Sequence, residues 1–322
     1  MKPQVVVVGS FVQDLTWNCA VFPVAGETVI GAFATGPGGK GSNQAIAAGR
    51  TGAATLFIGA VGRDTFAAGA RAFYKTEKIG ARWIEKPGHA TGTAAILVSA
   101  SGQNEIVVAL GANARLSRAD LDPKFFAGAR VVVTQLESSL AAAAFALKTA
   151  RSIGATAVLN PAPMRADFDP SLLKHADILI PNEAEFTALV NLLPATGRND
   201  FTEAALATLS DDTIHTLART FGPPVVIVTL GKRGCLVSQE SGYTFIPSHR
   251  VKAVDTTGAG DAFVGGFSAG LVKFKGDLVA AARFGTAVAA LSVTKRGTAP
   301  AMPRKKEIEA FLKTPHRTTK PV

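Results

Sequence analysis

Asp261 stands at the end of Val254-Asp255-Thr256-Thr257-Gly258-Ala259-Gly260-Asp261, followed by Ala262-Phe263, a run that reads as a strand end, a glycine-containing turn and a helix start. The backbone N–H groups of residues 258–261 would then point outward at a helix N-terminus. Such a rim forms an anion hole that can stabilise a phosphoryl group in transfer. A carboxylate there can accept the proton of an attacking hydroxyl, or it can simply neutralise the positive helix end, as acids in first turns do. The local sequence leaves both open. The helix end is expected to keep Asp261 ionised, which suits a base for a loose transition state in which the proton moves late.

A second run, Gly36-Pro37-Gly38-Gly39-Lys40-Gly41-Ser42-Asn43, leads into a helical stretch. Its glycines are expected to let a ligand approach the free N–H groups of that helix start. Gly36, Gly38 and Gly41 formally satisfy the dinucleotide fingerprint, but that fingerprint belongs directly after the first strand, whose end is Gly9, so a nicotinamide-dependent oxidoreductase is disfavoured. Lys40 is followed by Gly41 and Lys232 by Arg233, so no Walker A loop is present. His89, His175, His215, His249 and His316 have no metal-ligand spacing. Cys19 and Cys235 are too far apart in sequence to suggest a zinc cluster or a disulfide framework, and reduced thiols in a cytoplasmic protein are expected.

The elements that would position these runs are short β-branched segments at 5–8, 56–58, 131–133, 157–159, 178–180 and 225–228, alternating with helical stretches at 42–51, 140–153, 183–190, 204–219 and 261–272. Strands without polar alternation, separated by helices, predict a doubly wound α/β core around a mostly parallel sheet. Residues 15–38 and 91–111 break the rhythm with short strands and turns. They are expected to form a small β lid inserted in a core made of residues 1–14, 39–90 and 112–322. No stretch is long and apolar enough to cross a membrane, and none has a signal-peptide pattern. With 47% hydrophobic and 18% charged residues in 322, the chain can bury a large core. The net charge of +10 is densest in Arg304-Lys305-Lys306, Lys313, Arg317 and Lys320, where Glu307 and Glu309 dilute it. A solvated face is expected there rather than a nucleic-acid site, and the positive field favours an anionic small substrate such as a nucleotide.

Several motifs together resemble the ribokinase (PfkB) carbohydrate kinase family over residues 4 to about 312: Gly38-Gly39-Lys40-Gly41-Ser42-Asn43, Gln135-Leu136-Glu137, Asn160-Pro161-Ala162-Pro163, Pro181-Asn182-Glu183-Ala184-Glu185, Thr229 to Gly234, and Asp255 to Asp261. The resemblance implies an ATP-dependent sugar kinase with D-ribose as its first-choice acceptor. It implies Asp261 as base, with Gly258, Ala259 and Gly260 as the anion hole. Asp14, Gly39, Lys40, Asn43 and Glu137 would hold the sugar. Asn182 and Glu185 would organise Mg²⁺ and phosphate, and Thr229, Gly231, Gly234, Gly260 and Thr286 would line the nucleotide site. K⁺ would sit with Asp255, Thr257 and carbonyls near Ser292, Lys295 and Gly297. The β lid would pair in a homodimer.

Three positions depart from the family pattern. Val12 stands where an Asn would contact the sugar, Thr286 where a His often lies near adenine, and Ala301 where a Ser lies near the cation loop. Val12 loses a polar contact, so either ribose binds less tightly or the acceptor presents something apolar there. A kinase for a nucleoside or another sugar is therefore the alternative. A silent sugar- or nucleotide-binding regulator is disfavoured, because binding alone does not need Asp261. Trp17 and Trp83 read as packing groups.

Overall fold

The computed structural model describes residues 2–314, so the basic and histidine positions expected in a loose tail beyond Lys313 lie outside the described residues. The strands are β1 (Val5–Val8), β2 (Val12–Asn18), β3 (Ala32–Gly38), β4 (Thr55–Val61), β5 (Gly80–Glu85), β6 (Gly92–Val98), β7 (Asn104–Ala109), β8 (Val131–Thr134), β9 (Thr156–Leu159), β10 (Ile178–Leu179), β11 (Val225–Thr229), β12 (Gly234–Gln239) and β13 (Gly242–Pro247). The α-helices are α1 (Lys40–Arg50), α2 (Thr65–Glu77), α3 (Leu140–Ser152), α4 (Glu183–Leu192), α5 (Glu203–Thr208), α6 (Asp211–Arg219), α7 (Ala259–Lys273), α8 (Leu278–Ser292) and α9 (Lys305–Lys313).

The large sheet runs in the order β13-β12-β11-β10-β9-β8-β1-β4-β5. It is parallel from β11 to β5, with β12 and β13 added antiparallel at one edge. All of β1 is fully buried because helices cover both faces. Val6 and Val8 join the core beneath α3, while Val5 and Val7 join the core with Ala45 and Ile46 of α1 and Phe263 and Phe267 of α7. This is the α/β architecture the strand composition predicts. The strand order reverses beside β1, where chains leaving the carboxyl ends of β1 and β8 diverge and leave a crevice.

Two local expectations need correction. The helix expected over 204–219 is two helices, because Ser210 caps α6 by accepting the Thr213 N–H and breaks the run after Leu209. No strand precedes Asp255. Residues 250–258 are irregular, and Val254 and Asp255 hydrogen-bond through their N–H groups to the Val293 carbonyl instead.

A four-stranded sheet in the order β3-β2-β6-β7 lies apart from the large one. It begins at Val12, only a few residues after β1 ends, so Asp14 is carried on it. β7 is exposed along its whole length. Trp17 lies against Phe33 with ring centroids 5.1 Å apart, on the face of β2 opposite to Asp14 by strand alternation. Trp83 packs among Phe11, Phe57 and Tyr74 in the core.

Candidate active site

α7 starts at Ala259 with Gly258 as its cap, in a left-handed conformation (φ 77°) that glycine adopts without strain. The helix is held close to its neighbours. A Cβ on Gly265 would come within 2.4 Å of the Gln44 carbonyl in α1, and one on Gly266 within 2.8 Å of Val288 in α8. That close approach brings Asp261, in the first turn of α7, against the side chains of α1. Asn43 Nδ2 donates to Asp261 Oδ2 at 2.9 Å, and Gln44 Nε2 donates to Oδ1 at 2.9 Å. Both carboxylate oxygens are thereby fixed.

Burial pushes the Asp261 carboxyl up, opposed by the Lys40 charge and by the Asn43 and Gln44 hydrogen bonds, with Glu137 adding to the rise. The net direction is upward. The helix end favours the ionised form, and desolvation works against it. Lys40 shows the complementary effect. Burial alone would lower its ammonium, but Asp261, Glu137 and Glu185 outweigh burial and raise it, so it stands as the cation among three carboxylates.

The glycines before α1 also give the chain room to pack on itself. A Cβ on Gly39 would lie 2.6 Å from the Val12 nitrogen, and one on Gly41 2.6 Å from the Ser10 nitrogen, so these glycines let the chain approach its own backbone. Gly38 makes room for a side chain, since a Cβ there would overlap the Asp14 carboxylate at 2.3 Å. Glu137 accepts hydrogen bonds from the Ser10 hydroxyl at 2.5 Å and the Lys40 N–H at 2.9 Å, both on Oε2. Its position is thereby set by the turn after β1 and the start of α1. Asp14 is half-buried and accepts from Thr298 Oγ1 at 3.0 Å. Burial raises its carboxyl to about 6, against the Thr298 hydrogen bond and helped by Glu137 and Asp261.

Lys40, Asn182, Glu185, Thr229 and residues 258–261 face a common cleft of about 220 Å³. Asn182 and Glu185 form a capping box at the start of α4. Glu185 N–H donates to Asn182 Oδ1 at 2.8 Å, and the Glu185 carboxylate accepts from the Asn182 backbone at 3.0 Å and side chain at 3.1 Å. Burial raises the Glu185 carboxyl. Gly231 and Gly234 follow β11 but do not line this cleft, and a Cβ on Gly234 would strike the Ile246 carbonyl at 2.0 Å. Thr286 is buried in α8 with its hydroxyl donated to the Arg283 carbonyl, so it too lies off the cleft.

Of the residues expected around a monovalent cation, Asp255, Thr257 and Gly297 come together. Asp255 accepts from Thr257 N–H and Gly297 N–H, each at 2.9 Å, joining the turn before α7 to the loop after α8. The Ser292 carbonyl accepts from Lys295 N–H, and Lys295 Nζ pairs with Glu307 at the surface. Ala301 is buried and offers no side-chain donor. Among the described residues, no group of three or more His, Cys, Asp or Glu is arranged to hold a metal. A divalent ion that keeps most of its waters needs only one or two carboxylates plus substrate phosphate, and Glu185 fits that requirement. The oxygen-only donors around Asp255 and Thr257 suit a hard monovalent ion.

Sequence reasoning passed over Ser10, Gln44, Gln135, Asn160 and Thr298 as functional residues. Gln135 and Asn160 lie inside quoted motifs and Gln44 directly follows one, yet a glutamine in a helix or an asparagine after a strand carries no chemical signal of its own. Thr298 had no local signal at all.

Against known proteins, the model of the pfkB family carbohydrate kinases matches residues 2–305. The chain belongs to this family. It is 37% identical over 315 residues to a ribokinase of Mus musculus, covering 96% of this chain and 94% of the other. It is 34% identical over 312 residues to a deoxyribokinase of Salmonella typhi, covering 96% and 98% respectively. The structure of a ribokinase from Giardia lamblia superposes with a TM-score of 0.86 at 32% identity, covering 97% of this chain and 99% of that one. The protein is therefore an ATP-dependent sugar kinase with the ribokinase fold. Among the described residues, no helix is long and apolar enough to cross a membrane.

Proposed function

We propose that the protein transfers the γ-phosphoryl group of ATP to a pentose hydroxyl, with D-ribose as acceptor and ribose 5-phosphate as product. The observation that carries this reading is Asp261: a carboxylate with both oxygens fixed, set at the N-terminus of α7 and facing the cleft with Lys40. As the acceptor oxygen bonds to the γ-phosphorus, its proton passes to Asp261. The bond to the bridging oxygen breaks, and its electron pair leaves with ADP. The N–H groups of residues 258–260 meet the charge on the transferring group, and Lys40 supplies a fixed cation beside it. Asp14, Glu137, Asn43 and the backbone of Gly39 are assigned to the sugar. Thr229 is assigned to the nucleotide, whereas Gly231, Gly234 and Thr286 shape its surroundings.

Glu185, placed by Asn182, would hold a divalent ion, which when bound neutralises phosphate charge. Asp255, Thr257 and the neighbouring carbonyls would hold K⁺. The small sheet would act as a lid over the sugar. Its exposed Phe33 and Val107 lie with Trp17 on the face opposite to Asp14, an apolar surface suited to pairing with a second copy in a homodimer. Use of ATP and free cysteines fit a cytoplasmic protein.

Val12 favours a second acceptor. It is buried and shares a face of β2 with Asp14, so it presents an apolar group where a ribokinase pattern has an amide. A 2-deoxypentose would meet that group without losing a hydrogen bond, in keeping with the deoxyribokinase relative. ADP release measured with ribose, 2-deoxyribose, other sugars and nucleosides tests both readings, and no ADP release with any pentose would overturn them.

A further inference from the structure

Gln44 is fully buried in α1 and touches side chains from three other parts of the fold. Its Nε2 donates to Asp261 Oδ1 and to Asn160 Oδ1, each at 2.9 Å, and its Oε1 accepts from Gln135 Nε2 at 2.6 Å. Asn160 in turn donates to the Ile180 carbonyl at 2.9 Å. The chain of amides thus ties the loops after β8, β9 and β10 to the carboxylate at the start of α7.

The orientation of the Gln44 amide is forced. Turning it over would set its oxygen against the oxygens of both Asp261 and Asn160, and its NH₂ against that of Gln135. Among protein atoms, the buried Gln135 Oε1 and Asn43 Oδ1 oxygens accept no hydrogen bond. Both amides leave an acceptor unmatched, and the hydrogens so committed point toward Asp261, directly from Asn43 and through Gln44 from Gln135.

We propose that Gln44, oriented by Gln135, is a positioning residue that holds Asp261 as an ionised carboxylate in one fixed plane, ready to receive the acceptor proton. This rests on the reading of Asp261 as the base. An amide N–H can only donate, so it favours the carboxylate over the acid and offsets the desolvation that pushes Asp261 up. The other charged groups facing Asp261 are Lys40 of α1, Glu137 after β8, Asp14 of β2 and Glu185 of α4. None of them is changed by substituting Gln44.

The test is the pH dependence of kcat at saturating ATP and sugar for wild type, Gln44→Met and Gln135→Met. Gln44→Met should move the acid limb of kcat up by roughly one pH unit, with the plateau at higher pH within several-fold and KM for ATP within about two-fold. Gln135→Met should move the limb the same way by less. A limb that stays in place, or a kcat lowered by one factor at every pH, overturns the proposal, because a purely structural loss has that form. If Gln44→Met does not fold, Gln135→Met decides alone by the same criterion. Asp261→Asn measured alongside keeps the two readings separate: near-normal turnover in that variant removes the base assignment, whereas a dead Asp261→Asn with unmoved limbs in the glutamine variants removes only the role of Gln44.

Discussion

Thr298 donates its hydroxyl to Asp14 at 3.0 Å, joining the loop after α8 to a strand of the small sheet 284 positions away in the chain. The same hydroxyl lies 3.3 Å from the Pro37 carbonyl of β3. The loop that carries Gly297, and with it the Asp255 contact, therefore also fixes a carboxylate assigned to the sugar.

A pH dependence of sugar binding follows. Asp14 titrates at about 6, and the Thr298 hydrogen bond holds it down from a still higher value. A carboxylate that accepts from sugar hydroxyls loses that capacity as it is protonated, so KM for the sugar should rise as pH falls through about 6. In Thr298→Val the rise should begin at higher pH, because the stabilised anion has lost a donor. A sugar KM that is flat between pH 5.5 and 8 in both proteins would refute the assignment of Asp14.

Asp261→Asn should bind ATP and sugar within a few-fold of wild type while kcat falls by roughly 10² to 10⁴, the usual range for a positioned general base. Direct binding measurements set against single-turnover rates separate the two effects. A variant with near-normal turnover would show that proton removal is not its task.

Val12→Asn distinguishes the acceptors. If ribose is the natural substrate, the new amide should lower KM for ribose about tenfold, the equivalent of about 1.4 kcal/mol. If a 2-deoxypentose is, the amide is buried without a partner, and kcat/KM for that sugar should drop about tenfold with ribose still poorly used. Wild-type ribose turnover that is already strong, and unimproved by Asn, would remove the argument from Val12.

Closure of the small sheet should be visible in hydrogen exchange. On adding acceptor, amides of β2, β3, β6 and β7 should gain protection relative to β11, which is buried in the large sheet with or without ligand. Equal protection in both sheets would defeat the lid.

Arg50 and Glu77 form an ion pair whose side chains are only 7% and 5% exposed, and Arg50 also donates to the carbonyls of Ala299, Pro300 and Met302. Arg50→Ala should cost about 1–3 kcal/mol of stability at pH 7, since it removes the bidentate partner of Glu77 and the donor to three carbonyls while Arg304 stays 3.1 Å from Glu77 Oε1. The Arg50 hydrogen bond lowers the Glu77 carboxyl. The stabilisation is therefore present above the ordinary carboxylate range and is lost as pH falls through the lowered value. Urea unfolding should show the gap between wild type and variant narrowing in acid. A gap unchanged from pH 7 to pH 3 would contradict this account.

The parallel sheet was legible because β1, β8 and β11 are runs of valine and isoleucine, a composition that only a doubly covered strand uses well. β12 and β13 escaped notice because Cys235-Leu236-Val237-Ser238 and Tyr243-Thr244-Phe245 mix polar and apolar residues, as an edge hairpin does. Asp261, Asn43 and Glu137 could be picked out because their types carry chemistry and their motifs a family resemblance. Gln44 and Thr298 could not: their meaning comes from what lies opposite them across the fold, and no local pattern encodes a contact over hundreds of residues. The glycines before α1 signalled a close approach, and the fold adds that Gly39 and Gly41 also pack against the backbone of Val12 and Ser10, which no local pattern could name.

The pairing of β2 with β6 constrains any attempt to exchange acceptor preference between related kinases. β2 lies between β3, its neighbour in the chain, and β6, which enters after α1, β4, α2 and β5 have been laid into the large sheet. The small sheet is thus stitched from two separate stretches of chain. A single transplanted segment would carry half of a strand pairing and leave the other half mismatched, so a working chimera must swap residues 12–38 and 92–109 together.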